Sequence, residues 1–290
     1  MNIDNILDWE QIDKLIDLAL TEDLKGVGDT TSLSVIPKDL DAVAILKVKE
    51  PCIVSGLEVA KKVFMKVDPN LNFEAKVSDG DTLETYTVIA EISGNAQSLL
   101  TAERTALNFL QRLAGISTIT SEYVKALGDS KTKILDTRKT TPGWRSLEKY
   151  AVAAGGGTNH RMGLYDRVMI KDNHRELAGI QGEGGITRSV KLSREMFPDL
   201  EVEVEADSFE EVIEASKIGA DYILLDNMTN EEMKKVVEAL KGTTSKLEAS
   251  GGITIERIPS IAQIGVDFIS VGALTHSVKS ADISMEIILR

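Results

Sequence analysis

A single cysteine, Cys52, stands among 290 residues, so the chain can form no internal disulfide. No group of Cys and His has the spacing of a zinc site either. Any apolar run of about eighteen residues, the length that crosses a bilayer, is also missing. The acidic opening MNIDNILDWEQ lacks the basic-then-apolar order of a secretory signal. These features read as a cytoplasmic protein with no membrane partner. Positive charge is scarce: 33 Lys and Arg stand against 46 Asp and Glu, a net charge of −13. Such a field repels polyanions and argues against non-specific binding to nucleic acid or an anionic membrane, though it permits a local site for a small anion. Neither the Walker phosphate loop nor the dinucleotide glycine fingerprint is found. What remains is an ordinary globular composition, 42% hydrophobic and 27% charged, long enough for one large domain or two smaller ones.

The scarce cations are not spread evenly. Between Lys133 and Arg175 the chain holds nine Lys and Arg against Asp136, Glu148, Asp166 and Asp172, so this window is +5 and the rest of the chain −18. Two of the three histidines, His160 and His174, fall in the same window. A solvated charged face is the usual reading of such a cluster, and Lys133, Lys149, Arg167 and Arg175 are expected at the surface. Arg145 suits either role, Trp144 suits packing, His174 suits a structural role as well as ligand contact, and Arg112 suits a helix cap or a dimer anchor.

Periodicity divides the chain into two styles. WEQIDKLIDLALTEDL places Ile12, Leu15, Ile16 and Ala19 on one helical stripe. DAVAILKVKE, LNFEAKVSDGDTL and TYTVIAEISG alternate as strands of a partly exposed sheet. A long helix is expected over about Gln97–Leu113, with Leu100, Leu107 and Leu110 on one side and Arg104, Asn108 and Arg112 on another. Beyond it, TKILDTRKT, RVMIKDN, EVEVEAD, DYILLDN, KLEASGG and DFISVGA are short apolar strands separated by helix-length segments, the pattern of a parallel sheet. Six such units, with a seventh conceivable in Gly115–Leu127, favour a closed or nearly closed barrel over an open doubly wound sheet.

Barrels carry their chemistry at the C-terminal ends of the strands. Those ends supply Asp136 with Arg138 and Lys139, then Lys171, Glu205, Asp226, Ser250 with Gly251 and Gly252, and Gly272. EVEVEAD departs from pattern, because a strand covered on both faces should be nearly all apolar. An edge strand with one wet face is the bland account. Three carboxylates on an inner face would instead require cations or a metal, which the basic window supplies. EASGGIT and SVGALT put glycines where late strands meet helices, a place where backbone N–H groups often bind phosphate; AAGGGTNHR reads as a flexible or phosphate-approaching loop. Arg presents a fork suited to carboxylates, Lys a compact charge suited to phosphate. The residues alone thus describe an enzyme for a ligand bearing both groups.

Several long stretches go further. TAERTALNFLQRLAGIST, DTRKTTPGWRSLEKYAVAAGGGTNHRMGLYDRVMIKDNH, VEVEADS, LLDNM and EASGGIT, in this order, resemble the quinolinate phosphoribosyltransferase family over nearly the whole chain. The resemblance implies an N-terminal α/β sandwich (1–113, with a tail at about 276–290 packing back on it) and an incomplete, open TIM-like α/β barrel (114–275). It implies a homodimer, in which Arg104 reaches the neighbouring subunit's site. It also implies transfer from phosphoribosyl pyrophosphate to quinolinate with decarboxylation, and substrate-associated Mg²⁺. Carried over by motif, Arg138, His160, Arg161 and the partner's Arg104 are expected to bind quinolinate. Lys139, Lys171, Glu205 and Asp226 are expected around the ribose, pyrophosphate and metal, with Glu205 and Asp226 the metal candidates. Ser250, Gly251, Gly252 and Gly272 are expected to cradle the 5′-phosphate, with His276 nearby. The alternatives are a paralogue that transfers without decarboxylating, and a non-catalytic phosphosugar-binding barrel.

Overall fold

The computed structural model describes residues 6–288. Its strands are β1 (Asp41–Val48), β2 (Cys52–Ile53), β3 (Asn72–Ala75), β4 (Thr82–Leu83), β5 (Val88–Asn95), β6 (Lys133–Leu135), β7 (Val168–Ile170), β8 (Val202–Ala206), β9 (Tyr222–Asp226), β10 (Lys246–Ser250), β11 (Phe268–Ser270) and β12 (Ile283–Ile288). Two compact units divide them.

The first unit holds the described residues through Ser121, Thr140–Gly156 and the described residues from Ala273. Its antiparallel sheet runs β12-β1-β5-β3, so the last strand pairs with the first, Val43 opposite Ile288. Alternation in β1 and β5 puts Ala44, Leu46, Val48, Ala90 and Ile92 in a dry core. The helix Leu57–Val67 buries Val59, Ala60, Val63 and Phe64, and the Phe64 ring lies 5.9 Å from that of Phe73. The first helix, Trp9–Leu24, buries Ile12 and Ile16, while Leu15 and Ala19 are only half-covered.

One expectation is corrected here. The segment 115–127 contains no further βα unit: one helix runs from Ala96 to Ala126. Its apolar face continues through Leu113, Ala114 and Ile116, and Gly115 does not break it. A Cβ at Gly115 would overlap the Lys279 carbonyl, so glycine here serves close packing. The helix runs through the expected boundary at 113, and Thr140–Gly156 belongs to the first compact unit. Gly155 is the reason it can: a Cβ there would sit 2.8 Å from Thr120 Cβ and overlap the Ser117 carbonyl oxygen. Glu148 in this segment is fully buried and accepts from Arg112 Nη2 (2.8 Å), Thr141 N (3.1 Å) and Thr141 Oγ1 (2.9 Å). Arg112 also donates to the Thr275 carbonyl, so it braces its own unit rather than capping its helix. Trp144 packs as expected, stacked on Phe109 at 4.7 Å.

The second unit comprises Glu122–Lys139 and Gly157–Gly272. Its six strands are all parallel in the order β6-β11-β10-β9-β8-β7. Read around a ring, this is chain order, with one gap between β6 and β7. Next to β6 a single parallel bridge joins Leu135 to Thr158, with Thr158 N–H donating to the Ile134 carbonyl at 2.8 Å. The architecture is an open α/β barrel. AAGGGTNHR is accordingly no free loop: its first half packs in the first unit and its Thr158 runs beside β6 in the second.

Candidate active site

The sheet register brings the predicted strand ends to one rim. Ser250 lies opposite Asp226, Glu205 opposite Leu224, and Ile170, just before Lys171, opposite Val204. At the other end of the sheet, Val271 N–H donates to the Leu135 carbonyl, so Gly272 follows beside the Asp136 turn. Eleven of the thirteen candidates (Arg138, Lys139, His160, Arg161, Lys171, Glu205, Asp226, Ser250, Gly251, Gly252 and Gly272) belong to the barrel unit; Arg104 and His276 belong to the first unit and are exposed there.

One arc of the rim is cationic. Asp136, fully buried after β6, accepts from the main-chain N–H of His160 at 2.9 Å and from Asn159 Nδ2 at 2.6 Å, which ties the NHR turn to the strand carrying Arg138. Arg138 Nε is buried without a hydrogen-bond partner. Burial, and then the neighbouring Arg138, hold the Arg161 guanidinium below its usual range. Two guanidinium groups brought together, one with an orphaned donor, make a pocket whose electrostatic deficit an anion would fill.

The next arc is mixed. Lys171 Nζ pairs with Glu205, whose side chain is 15% exposed. Asp226 accepts from Asn227 Nδ2 at 2.9 Å. Then comes the glycine turn. Gly251 has φ +93°, and a Cβ would lie 2.6 Å from Asn227 Cγ, so only glycine fits. Asn227 N–H donates to the Ser250 carbonyl at 3.0 Å. Arg257 Nη1 approaches the Gly251 and Gly252 carbonyls at 3.5 and 3.4 Å.

Below the rim the barrel interior is charged. β8 lies between β7 and β9, so the edge-strand account of EVEVEAD fails. Glu203 is fully buried, Glu205 partly covered, and Glu201, just before the strand, exposed. The compensating cations come from the basic window. Arg167, expected at the surface, instead lies 3.2 Å from Glu201 and 3.5 Å from Glu203, over the Tyr222 ring at 3.9 Å. Two further cations expected at the surface are buried elsewhere, Lys149 in the first unit and Arg175 pairing with Glu211 at 2.7 Å; a long alkyl stem packs against apolar surface while its charged head finds a partner. Lys133 is exposed as expected. His174, exposed, accepts the Lys171 N–H on Nδ1 at 3.0 Å, a structural role.

Glu248 was not distinguished in the sequence, although a lone acid inside the apolar strand KLEAS is the same signal as EVEVEAD. It is fully buried, and burial reinforced by the neighbouring Glu203 pushes its carboxyl well above the ordinary range. His160 Nε2 lies 3.1 Å from Glu203 and 3.5 Å from Glu248.

An open α/β barrel with an arginine pair on one arc of its C-terminal rim and a glycine turn on another defines a barrel enzyme for a small ligand carrying carboxylates and phosphate. The family descriptions that match are the quinolinate phosphoribosyl transferase N-terminal domain, over residues 29–114, and its C-terminal domain, over 116–286. The chain is 45% identical over 280 residues to a probable nicotinate-nucleotide pyrophosphorylase [carboxylating] of Bacillus subtilis, covering 96% of this chain and 94% of the relative. It is 43% identical to the chloroplastic nicotinate-nucleotide pyrophosphorylase [carboxylating] of Arabidopsis thaliana, covering 94% and 82%. The solved structure of NadC from Streptococcus pyogenes superposes with a TM-score of 0.92 at 39% identity, over 98% and 99% of the two chains. The chain belongs to the quinolinate phosphoribosyltransferase family.

Proposed function

We propose that this chain joins quinolinate to phosphoribosyl pyrophosphate and releases pyrophosphate and CO₂, giving nicotinate mononucleotide, a step of de novo NAD synthesis. The observation that carries this is the Arg138–Arg161 pair: two guanidinium groups in mutual repulsion, one with a buried unpartnered Nε. A pyridine with two carboxylates supplies the missing charge and the missing acceptor together, and fork-shaped donors fix its plane. Arg104, exposed on its helix, completes that set from a second subunit in a homodimer. The names of the relatives, carboxylating pyrophosphorylases, agree with this substrate pair.

The chemistry needs little from side chains. The pyridine nitrogen attacks the ribose C1 while the C1–O bond to pyrophosphate breaks, with the electron pair leaving on pyrophosphate. Positive charge gathers at C1, and Glu205 or Asp226 beside it stabilises the transition state more than the ground state. Lys139 and Lys171 neutralise pyrophosphate, while Ser250, Gly251, Gly252 and Gly272 surround the 5′-phosphate. The C2–carboxylate bond then breaks with its electron pair left on C2, stabilised by the adjacent positively charged ring nitrogen; CO₂ departs, and that pair takes a proton from water. No residue is required as a general base, because the nucleophile carries no proton. Glu205 and Asp226 are hard oxygen donors on neighbouring strands, a set that fits Mg²⁺ shared with pyrophosphate oxygens and water. When bound, Mg²⁺ supplies charge neutralisation of the leaving group. Among the described residues no helix is long and apolar enough to cross a membrane; with the lone Cys52 buried, a cytoplasmic setting accords with the sequence.

The test is turnover of carboxyl-labelled quinolinate with phosphoribosyl pyrophosphate and Mg²⁺. Labelled CO₂ released only when both substrates are present supports the proposal. Ribosylation without gas indicates the non-decarboxylating paralogue, and binding without turnover indicates the phosphosugar-binding barrel.

A further inference from the structure

We propose that Glu203 is a positioning residue for Arg161, acting through His160 and Arg167. The inference deepens the proposed function, since Arg161 is taken there as a quinolinate ligand. Two routes connect Glu203 to Arg161. In the first, Glu203 Oε2 faces His160 Nε2 at 3.1 Å, and His160 Nδ1 accepts the main-chain N–H of Arg161 at 2.6 Å. An imidazole nitrogen that accepts carries no proton, so the ring proton of His160 sits on Nε2, which is hydrogen-bonded to Glu203 Oε1 at 3.4 Å. In the second, Glu203 Oε2 lies 3.5 Å from Arg167 Nη1, and the Arg167 carbonyl accepts Arg161 Nη1 at 3.0 Å. The backbone and the guanidinium of Arg161 are therefore both held by groups that end on one buried carboxylate.

This arrangement also decides what the cluster is not. His160, Glu203 and Glu248 offer ligand atoms within 4.8 Å of one another, all buried, which is a spacing a metal could use. A metal would need the Nε2 lone pair, and the Arg161 amide on Nδ1 leaves that nitrogen protonated. His160 thus has both ring nitrogens engaged inside the barrel, and its contribution to the substrate passes through the residue that follows it. Arg167 has other support in Glu201 and the Tyr222 ring, so Glu203 is needed less to neutralise Arg167 than to fix where its carbonyl lies.

Two measurements test this. The first uses the full wild-type chain labelled with ¹⁵N-histidine; only three histidines are present, and the exposed His174 and His276 are assigned with His174→Gln and His276→Gln. The expected result is a neutral His160 with the proton on Nε2 and Nδ1 bare. An Nδ1–H tautomer or an imidazolium would overturn the proposal, whatever the enzyme's substrate. The second compares Glu203→Ala with the isosteric Glu203→Gln, whose amide oxygen can still accept from His160. Glu203→Ala should raise the KM for quinolinate by about tenfold, with kcat and the KM for phosphoribosyl pyrophosphate within about twofold, and Glu203→Gln should recover most of the loss. Equal rises in both KM values, or an unchanged KM for quinolinate, would overturn it. A wild-type chain that shows the Nε2–H tautomer but no quinolinate turnover would sink the proposed substrate and leave the His160–Arg161 link standing.

Discussion

The two sheets of this protein are built on opposite principles. In the antiparallel sheet, β1 and β5 bury only uncharged side chains, Ala44, Leu46, Val48, Ala90 and Ile92 among them, while the charged Asp41, Lys47 and Glu91 stay exposed or half-covered. In the parallel sheet, β8 and β10, on either side of β9, bury Glu203 and Glu248 inside the ring, with His160 near both and Arg167 against Glu203. Burying ionisable groups costs several kcal/mol each unless partners are in place, so an apolar interior would hold the barrel together at least as well. The difference teaches where the fold gives up stability to hold charges in fixed positions: directly beneath the rim that carries Arg138, Arg161, Lys171 and Glu205.

If the contrast is real, substitutions should separate into those that damage catalysis and those that damage folding. The largest effect belongs to Arg138→Ala, which should lower kcat/KM for quinolinate by two to three orders of magnitude while the melting curve stays close to wild type. Glu205→Gln should reduce kcat by about a hundredfold with little change in either KM, measured at saturating substrates. Gly251→Ala forces an L-residue to φ +93° against Asn227; it should raise the KM for phosphoribosyl pyrophosphate and cost about 1–2 kcal/mol in urea unfolding. Gly155→Ala, in the first unit, should cost about 1–3 kcal/mol in the same unfolding experiment because its Cβ meets Thr120 and the Ser117 carbonyl. The smallest effect sharpens the comparison from the other side. Glu248 holds its proton in the folded state more firmly than in the unfolded chain, so the folded state binds more protons and stability declines as pH rises above the ordinary carboxyl value of 4.5. Glu248→Gln removes that dependence, and its melting temperature should equal or exceed that of wild type at alkaline pH. A steeper alkaline loss in the variant would show the sign to be wrong.

Much of this was legible in the sequence, and the exceptions share a cause. Every strand named from alternation or from an abrupt apolar end is a strand, because periods of two and short β-branched runs are local signals. The strand-end positions Lys171, Glu205, Asp226, Ser250 and Gly272 were legible because a barrel fixes where strand ends lie, whereas His160 and His276 entered only through the family resemblance. What local pattern could not show was enclosure. Lys149, Arg167 and Arg175 read as surface charges since nothing within a few residues of them names their partners; Glu203 and Glu201, which meet Arg167, lie more than thirty residues away in sequence. The helix Ala96–Ala126 was cut short at Gly115 for the same reason: the residue that explains that glycine is Lys279. Glu248 carries the same kind of signal as EVEVEAD in weaker form, one acid in the strand KLEAS in place of three in alternation.

The account rests on a division of the barrel rim into an arginine arc for carboxylates and a glycine arc for phosphate. A crystal structure of the chain soaked with quinolinate alone tests it most directly. The predicted result is the pyridine ring with a carboxylate on Arg138, its orphaned Nε now partnered, and Arg161 alongside. Quinolinate seated instead at Ser250–Gly252, or excluded from the rim while the fold is intact, would contradict it.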